Sequence, residues 1–307
     1  MKDIIIVGGG PAGLTAATYT SREGFKTLLL EKGICGGLAA TTDLIENYPG
    51  FPEGISGMTL TNRFKEQALR FGTEITEYKK VEKIEPAGKK IKLQTAEQAY
   101  EAYAVIVASG SIPKKLKIPG EEKYGGKGVS YCATCDGPFF KDKQVAVIGC
   151  GNSGLQEGLS LLKYVKSLTF IEFLPRMTGE KILQEKLQKS EKTRFLLNHM
   201  LTSINGDTLV NSVIVKNRQT DEIENIEVSG VFIYVGFLPN SKFLEGVVEL
   251  DDPGYIVTNE EMETSIPGLY AAGDVRSKKV RQIDVACGEG TIAAISARDY
   301  ILNLKGV

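Results

Sequence analysis

Residues 3–13 read DIIIVGGGPAG, a β-branched run that breaks into glycines and a proline. The run predicts a short buried strand over residues 3–7, because β-branched residues bounded by turn formers favour extended chain. Gly8 to Gly13 then make a turn, residues 14–22 have the composition of a helix, and Thr27–Leu30 is a second strand ending in Glu31. Strand, G-x-G-x-x-G turn, helix and strand together spell a dinucleotide-binding βαβ unit. Gly8 makes the tight turn, Gly10 lets the backbone approach a pyrophosphate at the helix start, and Gly13 lets helix and strand pack closely. Glu31 is placed to accept hydrogen bonds from ribose hydroxyls. A lone glycine motif is weak; flanked by strand and helix it becomes specific.

The pattern occurs twice. Gln144–Ile148 is a strand, Gly149, Cys150, Gly151, Asn152, Ser153 and Gly154 form a second turn, residues 155–162 a helix and residues 167–173 a strand containing Glu172. The acid follows the last glycine by the same interval in both copies, 31 − 13 = 18 and 172 − 154 = 18. The duplication predicts two nucleotide sites, each on its own doubly wound sheet. Candidate linkers fall at residues 111–120 (SIPKKLKIPG) and 237–242 (FLPNSK). Beyond them, residues 264–275 and a helix-like stretch at 290–302 are small and apolar, as if completing a sheet already begun.

The 307 residues carry 37 Lys+Arg against 38 Asp+Glu, a net charge of −1, without a basic run that would seek a phosphate backbone or an anionic bilayer. Neither nucleic acid nor membrane is an expected partner. The opening MKDIIIVGGG stops in glycines too soon for a signal peptide, and no stretch is long and apolar enough for a spanning helix. A soluble, cytoplasmic protein is expected. Five cysteines, at 35, 132, 135, 150 and 287, are too sparse for a secreted disulfide framework.

Only Cys132 and Cys135 are close, in YCATCDG at 131–137. A structural zinc site wants four Cys or His ligands, whereas His199 is the only histidine and the other cysteines are isolated, so no metal is expected. A redox pair and two inert buried thiols remain. Redox work needs thiolates near neutrality and a nearby acid to return a proton as a disulfide opens, and Asp136 is the adjacent candidate. For Cys35, Cys150 and Cys287 the expectation is small-residue packing. His199 is expected to have no catalytic role, and Tyr131, Phe139 and Phe140 to fill core.

Six pieces of the chain, in order, resemble low-molecular-weight thioredoxin reductases of the flavin disulfide reductase group. They are GGGPAGLTAA near the start, GG with IENYPGFP at 36–52, VIVASG at 105–110, CATCDGPFF at 132–140, VAVIGCGNSG at 145–154 and AAGDVRSKKVRQIDVACGEG at 271–290. The resemblance implies an α/β protein of two doubly wound dinucleotide-binding (Rossmann-like) domains, the second inserted into the first. An FAD domain would comprise residues 1–113 and 244–307, and a pyridine-nucleotide domain carrying the CxxC residues 114–243. FAD would lie on Gly8, Gly10, Pro11, Ala12 and Gly13, with Glu31 and Lys32 at the adenosine and Gly37, Leu38 and Asn47 along its course. Asp274 would reach the flavin-side hydroxyls, with Arg281, Gln282 and Ile283 beside the isoalloxazine. A nicotinamide nucleotide would take Gly149, Gly151, Asn152, Ser153, Gly154 and Glu172.

Familiar NADPH enzymes of this group carry an arginine cluster after the second fingerprint, where this chain has IEFLPRMTGE at 171–180. Glu172 would accept from a free 2′-hydroxyl and repel a 2′-phosphate, and Arg176 is the only nearby cation in the sequence. IEFLPRM followed by KILQEKL is similar to the NADH-using flavoprotein of alkyl hydroperoxide reductase, so NADH is expected rather than NADPH. Electrons would pass through FAD to Cys132–Cys135, Cys135 being the flavin-facing sulfur, and on to thioredoxin or a glutaredoxin-like protein, in a homodimer. Domain rotation would alternate nicotinamide and disulfide at the flavin, with residues 120–128 as hinge. Rival readings are the reductase of a peroxide-scavenging system, a ferredoxin-dependent reductase, a small-dithiol oxidase and a non-catalytic flavin redox sensor.

Overall fold

Both faces of the first strand are covered, which is why its sequence runs Ile4-Ile5-Ile6 without alternation. The computed structural model describes residues 1–306. The chain begins β1 (Lys2–Val7), α1 (Pro11–Arg22), β2 (Thr27–Leu30), α2 (Gly57–Arg70), β3 (Glu74–Thr76), β4 (Val81–Ala87), β5 (Lys90–Thr95) and β6 (Ala99–Val107). After β7 (Ser111–Pro113) come β8 (Val129–Ser130), α3 (Ala133–Asp136), β9 (Gln144–Ile148), α4 (Asn152–Leu161), β10 (Ser167–Glu172), α5 (Lys181–Gln188) and β11 (Thr193–Leu197). Then follow β12 (His199–Gly206), β13 (Val210–Asn217), β14 (Ile223–Glu227), β15 (Gly230–Ile233), β16 (Phe237–Pro239), β17 (Leu269–Ala271) and α6 (Ile283–Lys305).

Two units result. One comprises Met1–Ile112 with the chain from Leu238, the other Pro113–Phe237. The chain crosses between them twice, and the crossing segments β7 and β16 pair as a two-stranded ribbon. Residues 120–128, expected as a hinge, lie instead inside the second unit. Buried Glu121 fastens them by accepting from Leu116 N at 2.9 Å, Lys117 N at 2.6 Å and the Tyr131 hydroxyl at 2.7 Å, and Tyr124 donates to the Gly206 carbonyl.

In the first unit β3, β2, β1 and β6 form a parallel sheet, and β17 returns to extend it beside β6. Ile4 and Ile6 enter the core under α1 and α6, while Ile5 and Val7 enter the opposite core with Leu93, Val105 and Leu269. Helices α1 and α6 approach closely because Gly290 has no Cβ to strike the Ala12 carbonyl. Strands β4 and β5 add an antiparallel flap on the N-terminal half of β6. The second unit repeats the plan as β11-β10-β9-β15-β8, all parallel, and carries a separate antiparallel sheet β12-β13-β14. In both units strand order reverses beside the strand that leads into the glycine turn, β1 in one and β9 in the other, and ligands of such sheets bind at that switch point.

The helices begin earlier than composition suggests, α1 at Pro11 and α4 at Asn152, because proline suits the first helical position and a glycine cap precedes each. A Cβ on Gly13 would collide with the Gly8 carbonyl, whereas one on Gly10 would meet nothing nearer than Gly37 Cα at 4.0 Å. Gly13→Ala should therefore destabilise the ligand-free protein by about 2 kcal/mol, by overpacking against backbone, and Gly10→Ala should not. Equal thermal midpoints for the two variants would overturn this account of the turn.

Candidate dinucleotide and redox sites

The two glycine turns are built alike, atom for atom. Gly8 sits at φ 111° and Gly149 at φ 101°, conformations open to glycine, and their amides close onto Leu30 O and Ile171 O, both at 2.9 Å. The acid at the end of the second strand then ties the turn. Glu31 accepts from Gly9 N at 2.7 Å and Gly33 N at 2.8 Å, and Glu172 accepts from Cys150 N at 2.6 Å and Leu174 N at 2.9 Å. Both carboxylates are thus turn locks as well as candidate ribose acceptors, each oxygen retaining a lone pair. Neither Gly10 nor Gly151 places a side-chain cap on its helix, leaving first-turn N–H groups and the positive end of the dipole for an anion. Gly154 packs on the Gly149 carbonyl as Gly13 does on Gly8.

Around the first turn the chain assembles further groups. Gly36 N reaches Gly9 O at 2.7 Å, bringing Gly37 against Gly10, while Lys32 and Leu38 point their side chains outward. Asn47 donates to the Gln282 side chain at 3.2 Å, and Ile283 packs with Ile45, Ile55 and Leu60. Asp274 is half-buried, and desolvation holds its carboxyl above the usual range. Its Oδ1 lies 3.3 Å from Lys278 Nζ without an aligned hydrogen bond. Arg281 lies over the Tyr255 ring at 4.3 Å, and its buried Nε has no partner. These two atoms without a hydrogen bond, with the uncapped helix start, suit a ligand that carries hydroxyls and a pyrophosphate.

Three contributors escaped sequence reading. Glu289, 7% exposed, accepts from Gly273 N at 2.8 Å, Arg276 at 2.7 Å and Lys278 at 3.1 Å, fixing the turn that presents Asp274. Glu77 accepts from Cys35 N at 2.8 Å and Lys65 at 2.7 Å, which together hold it below the usual carboxylate range. Ser130, buried, donates to Asp136 Oδ2 at 2.6 Å and accepts from Cys132 N at 3.1 Å. Of the three, only Glu289 lies in a stretch that carries the resemblance, residues 271–290, and that stretch implies no role for it.

Cys132 and Cys135 form a disulfide at the start of α3. Cys132 caps that turn, its sulfur taking the Cys135 amide at 3.2 Å, a donor that would also stabilise a thiolate. Buried Glu157 of α4 accepts from Ala133 N at 3.2 Å, so the helix of the second glycine turn also holds the redox turn. Phe140 fills core against Phe232 as expected, but Phe139 is 75% exposed. No cluster of metal-ligating side chains occurs among the described residues.

Beside the second turn a cavity of about 360 Å³ is lined by Gly149, Gly151, Glu172, Phe173, Thr178 and Gly236. His199 lies on its wall, a position that its apolar surroundings in sequence did not suggest. The Asn152 side chain is paired with Glu180 through two hydrogen bonds of 3.0 and 2.7 Å, which leaves its backbone at the helix start for a ligand. Arg176 is not the only cation here: the β13–β14 hairpin brings Arg218 onto Phe173, a neighbour 45 residues away that local reading could not reach.

A family model described as pyridine nucleotide-disulphide oxidoreductase matches residues 2–290. The thioredoxin reductase of Bacillus subtilis (strain 168) is 43% identical over 305 residues, 99% of this chain and 96% of that protein. Among solved structures, the thioredoxin reductase of Lactococcus lactis is 40% identical with a TM-score of 0.96, covering 99% of this chain and 100% of its own. That of T. acidophilum is 41% identical with a TM-score of 0.94, covering 99% of each.

The remaining thiols should be silent. Burial pushes Cys35 and Cys150 up to about 12 and raises Cys287. Alkylation at neutral pH followed by intact mass should show no rapid adduct on the oxidised protein and two after reduction, at Cys132 and Cys135. Rapid labelling elsewhere would contradict the burial.

Proposed function

The chain belongs to the pyridine nucleotide-disulphide oxidoreductase family, and from that premise we propose that it works as a thioredoxin reductase. It is a flavoenzyme that reduces the disulfide of thioredoxin with electrons from a nicotinamide nucleotide. The observation that carries this reading is the Cys132–Cys135 disulfide with Asp136 held beside it by Ser130, on the unit that also bears the second glycine turn. FAD, when bound, supplies a two-electron relay between nicotinamide and disulfide.

The residues of the first unit fit FAD. Gly8, Gly10, Pro11, Ala12 and Gly13 would offer backbone to its pyrophosphate, and Glu31 its free lone pairs to the adenosine ribose. Asp274 and Arg281, each with a buried atom that lacks a hydrogen bond, would take the flavin half with Asn47, Gln282 and Ile283, and Lys32, Gly37 and Leu38 would border the channel. On the second unit Gly149, Gly151, Asn152, Ser153, Gly154 and Glu172 would hold the reductant.

Opening the disulfide takes two electrons and one proton, giving one thiol and one thiolate, and Asp136, the acid that follows Cys135 in the chain, would deliver that proton. A thiolate then attacks the thioredoxin disulfide, forming a mixed disulfide and releasing one partner thiolate. The second enzyme sulfur, its thiol proton passing to the released partner thiolate, attacks the mixed disulfide, restores Cys132–Cys135 and frees the partner as one thiol and one thiolate, the latter taking a second proton from water to complete the dithiol. The backbone donor at Cys132 and the anchor from Glu157 keep the two sulfurs in register for both exchanges.

NADH is the reductant this reading favours. Glu172 keeps a carboxylate where a 2′-phosphate would need cations, and Phe173 and Leu174 follow in place of basic residues. Two unit charges 4 Å apart interact by about 4 kcal/mol at an effective dielectric near 20, enough for a preference of more than ~100-fold. A cytoplasmic homodimer serving thioredoxin or a glutaredoxin-like protein accords with the near-neutral charge and sparse cysteines.

Anaerobic stopped-flow reduction with NADH and NADPH in parallel tests the donor: at limiting nucleotide, flavin bleaching should be more than ~100-fold faster with NADH. Equal rates would remove Glu172 as the discriminator. Asp136→Asn should slow thioredoxin reduction by about 100-fold while nucleotide-driven bleaching persists, and an unchanged turnover would show that the proton comes from elsewhere.

A further inference from the structure

Phe173 follows the ribose-reading acid directly and is 48% exposed on the lip of the 360 Å³ cavity. One of its faces is already taken. Arg218 lies over the ring with its guanidinium carbon 3.5 Å from the centroid, and its Nη1 donates to the Phe173 carbonyl at 2.9 Å. The arginine is itself fastened at its root, its amide donating to Asn198 O at 2.7 Å, and Asn198 N donates to Leu174 O at 3.0 Å. Asn198 holds a left-handed backbone, φ 58°, to make this exchange. Arg218, Asn198 and Phe173–Leu174 thus form one closed ring of contacts around the end of β10.

Such a ring costs side-chain entropy to keep an exposed phenyl group in place, and the cation over one face polarises the other. The open face is flat, apolar and next to Glu172, the position in a dinucleotide fold where the adenosine ribose is read and its base must lie. We infer that Phe173, backed by Arg218, is the stacking platform for the adenine ring of the reductant. Arg218 serves as a positioning residue that locks the phenyl ring, and does not read a ribose phosphate. His199 closes the same wall: its Nδ1 lies 2.6 Å from the Leu197 carbonyl, which can only accept, so Nδ1 carries the proton and Nε2 is left for a ligand. The chain would thereby hold the base by stacking where the related NADPH enzymes hold a phosphate by charge.

This inference rests on the nicotinamide-nucleotide reading above, and AMP separates the two. Titration calorimetry of the FAD-loaded protein with AMP, together with stopped-flow reduction by NADH and by reduced nicotinamide mononucleotide, is made on wild type, Phe173→Leu, Phe173→Tyr and Arg218→Ala. Base stacking on an aromatic side chain predicts that Phe173→Leu weakens AMP and NADH by about tenfold or more, and that Phe173→Tyr restores both. Reduction by the mononucleotide, which has no adenine, should be unchanged, and Arg218→Ala should weaken NADH and NADPH alike. Unaltered AMP affinity in Phe173→Leu, or a wild type that does not bind AMP, overturns the platform. A loss in Arg218→Ala confined to NADPH overturns the positioning role, since the guanidinium would then be a phosphate ligand. A wild type that binds AMP through Phe173 but is bleached by neither nucleotide upholds the platform and refutes the reductant.

Discussion

A carboxylate clasping two backbone amides is the constraint on which both nucleotide sites depend. A glycine turn between strand and helix has no side chains of its own to hold it, and its N–H groups must find partners if they are buried. In both units the acid ending the second strand provides one of them, bridging the turn to its neighbour strand through Glu31 and Glu172. A charge-assisted bond to a backbone N–H is about twice as strong as a neutral one, so the clasp fixes the turn before any ligand arrives. Preorganisation of this kind removes from the binding step the cost of ordering the loop.

The two copies then diverge in what surrounds the clasp. In the first unit the segment after Glu31 folds back over the turn, Gly36 on Gly9, and Glu77 secures it from β3's side with help from Lys65. In the second unit the chain after Glu172 stays at the surface as Phe173 and Leu174, and the partner at the back is the helix α4, whose Glu157 reaches the redox turn. One frame thus supports an enclosing site in one case and, in the other, a site that shares its helix with a disulfide. The sharing has a chemical use, because α3 alone is a single turn of four residues and would not hold two sulfurs in register.

The sequence made the local units legible because their determinants are local. Strands β1 and β9 could be bounded from apolar, β-branched-rich runs ending in glycine, β2 from a short apolar run ending in an acid, and the acid interval of eighteen located both clasps. What pattern could not supply were contacts made across the fold. The return of β17 to β6 is parallel pairing of residues more than 160 apart, and no local periodicity encodes it. Arg218 reaches Phe173 from a hairpin turn, and His199 reaches the cavity because β11 lies in register with β10, Leu197 beside Glu172. The glycines at 120–128 looked like freedom in the chain; buried Glu121 turns them into a fastened corner.

Glu289 shows the same lesson in energetic form. Read along α6 it is one acid in a helix of small residues, and its composition suggests solvent. In the fold it is 7% exposed and carries two cations and an amide, so its charge is compensated on both oxygens. Removing one partner from a buried group of this kind leaves an unpaired charge at a cost of about 3–5 kcal/mol, whereas the intact cluster is near neutral in its effect on stability. A cluster that adds little to the fold but is costly to break serves best as a positioning device. It sets the Gly273–Asp274 turn, and with it the one buried carboxylate oxygen of the first unit that lacks a hydrogen bond among the described residues. The fold has therefore satisfied the acid that holds the turn and left its neighbour Asp274 with an Oδ1 that has an ion pair to Lys278 but no aligned hydrogen bond.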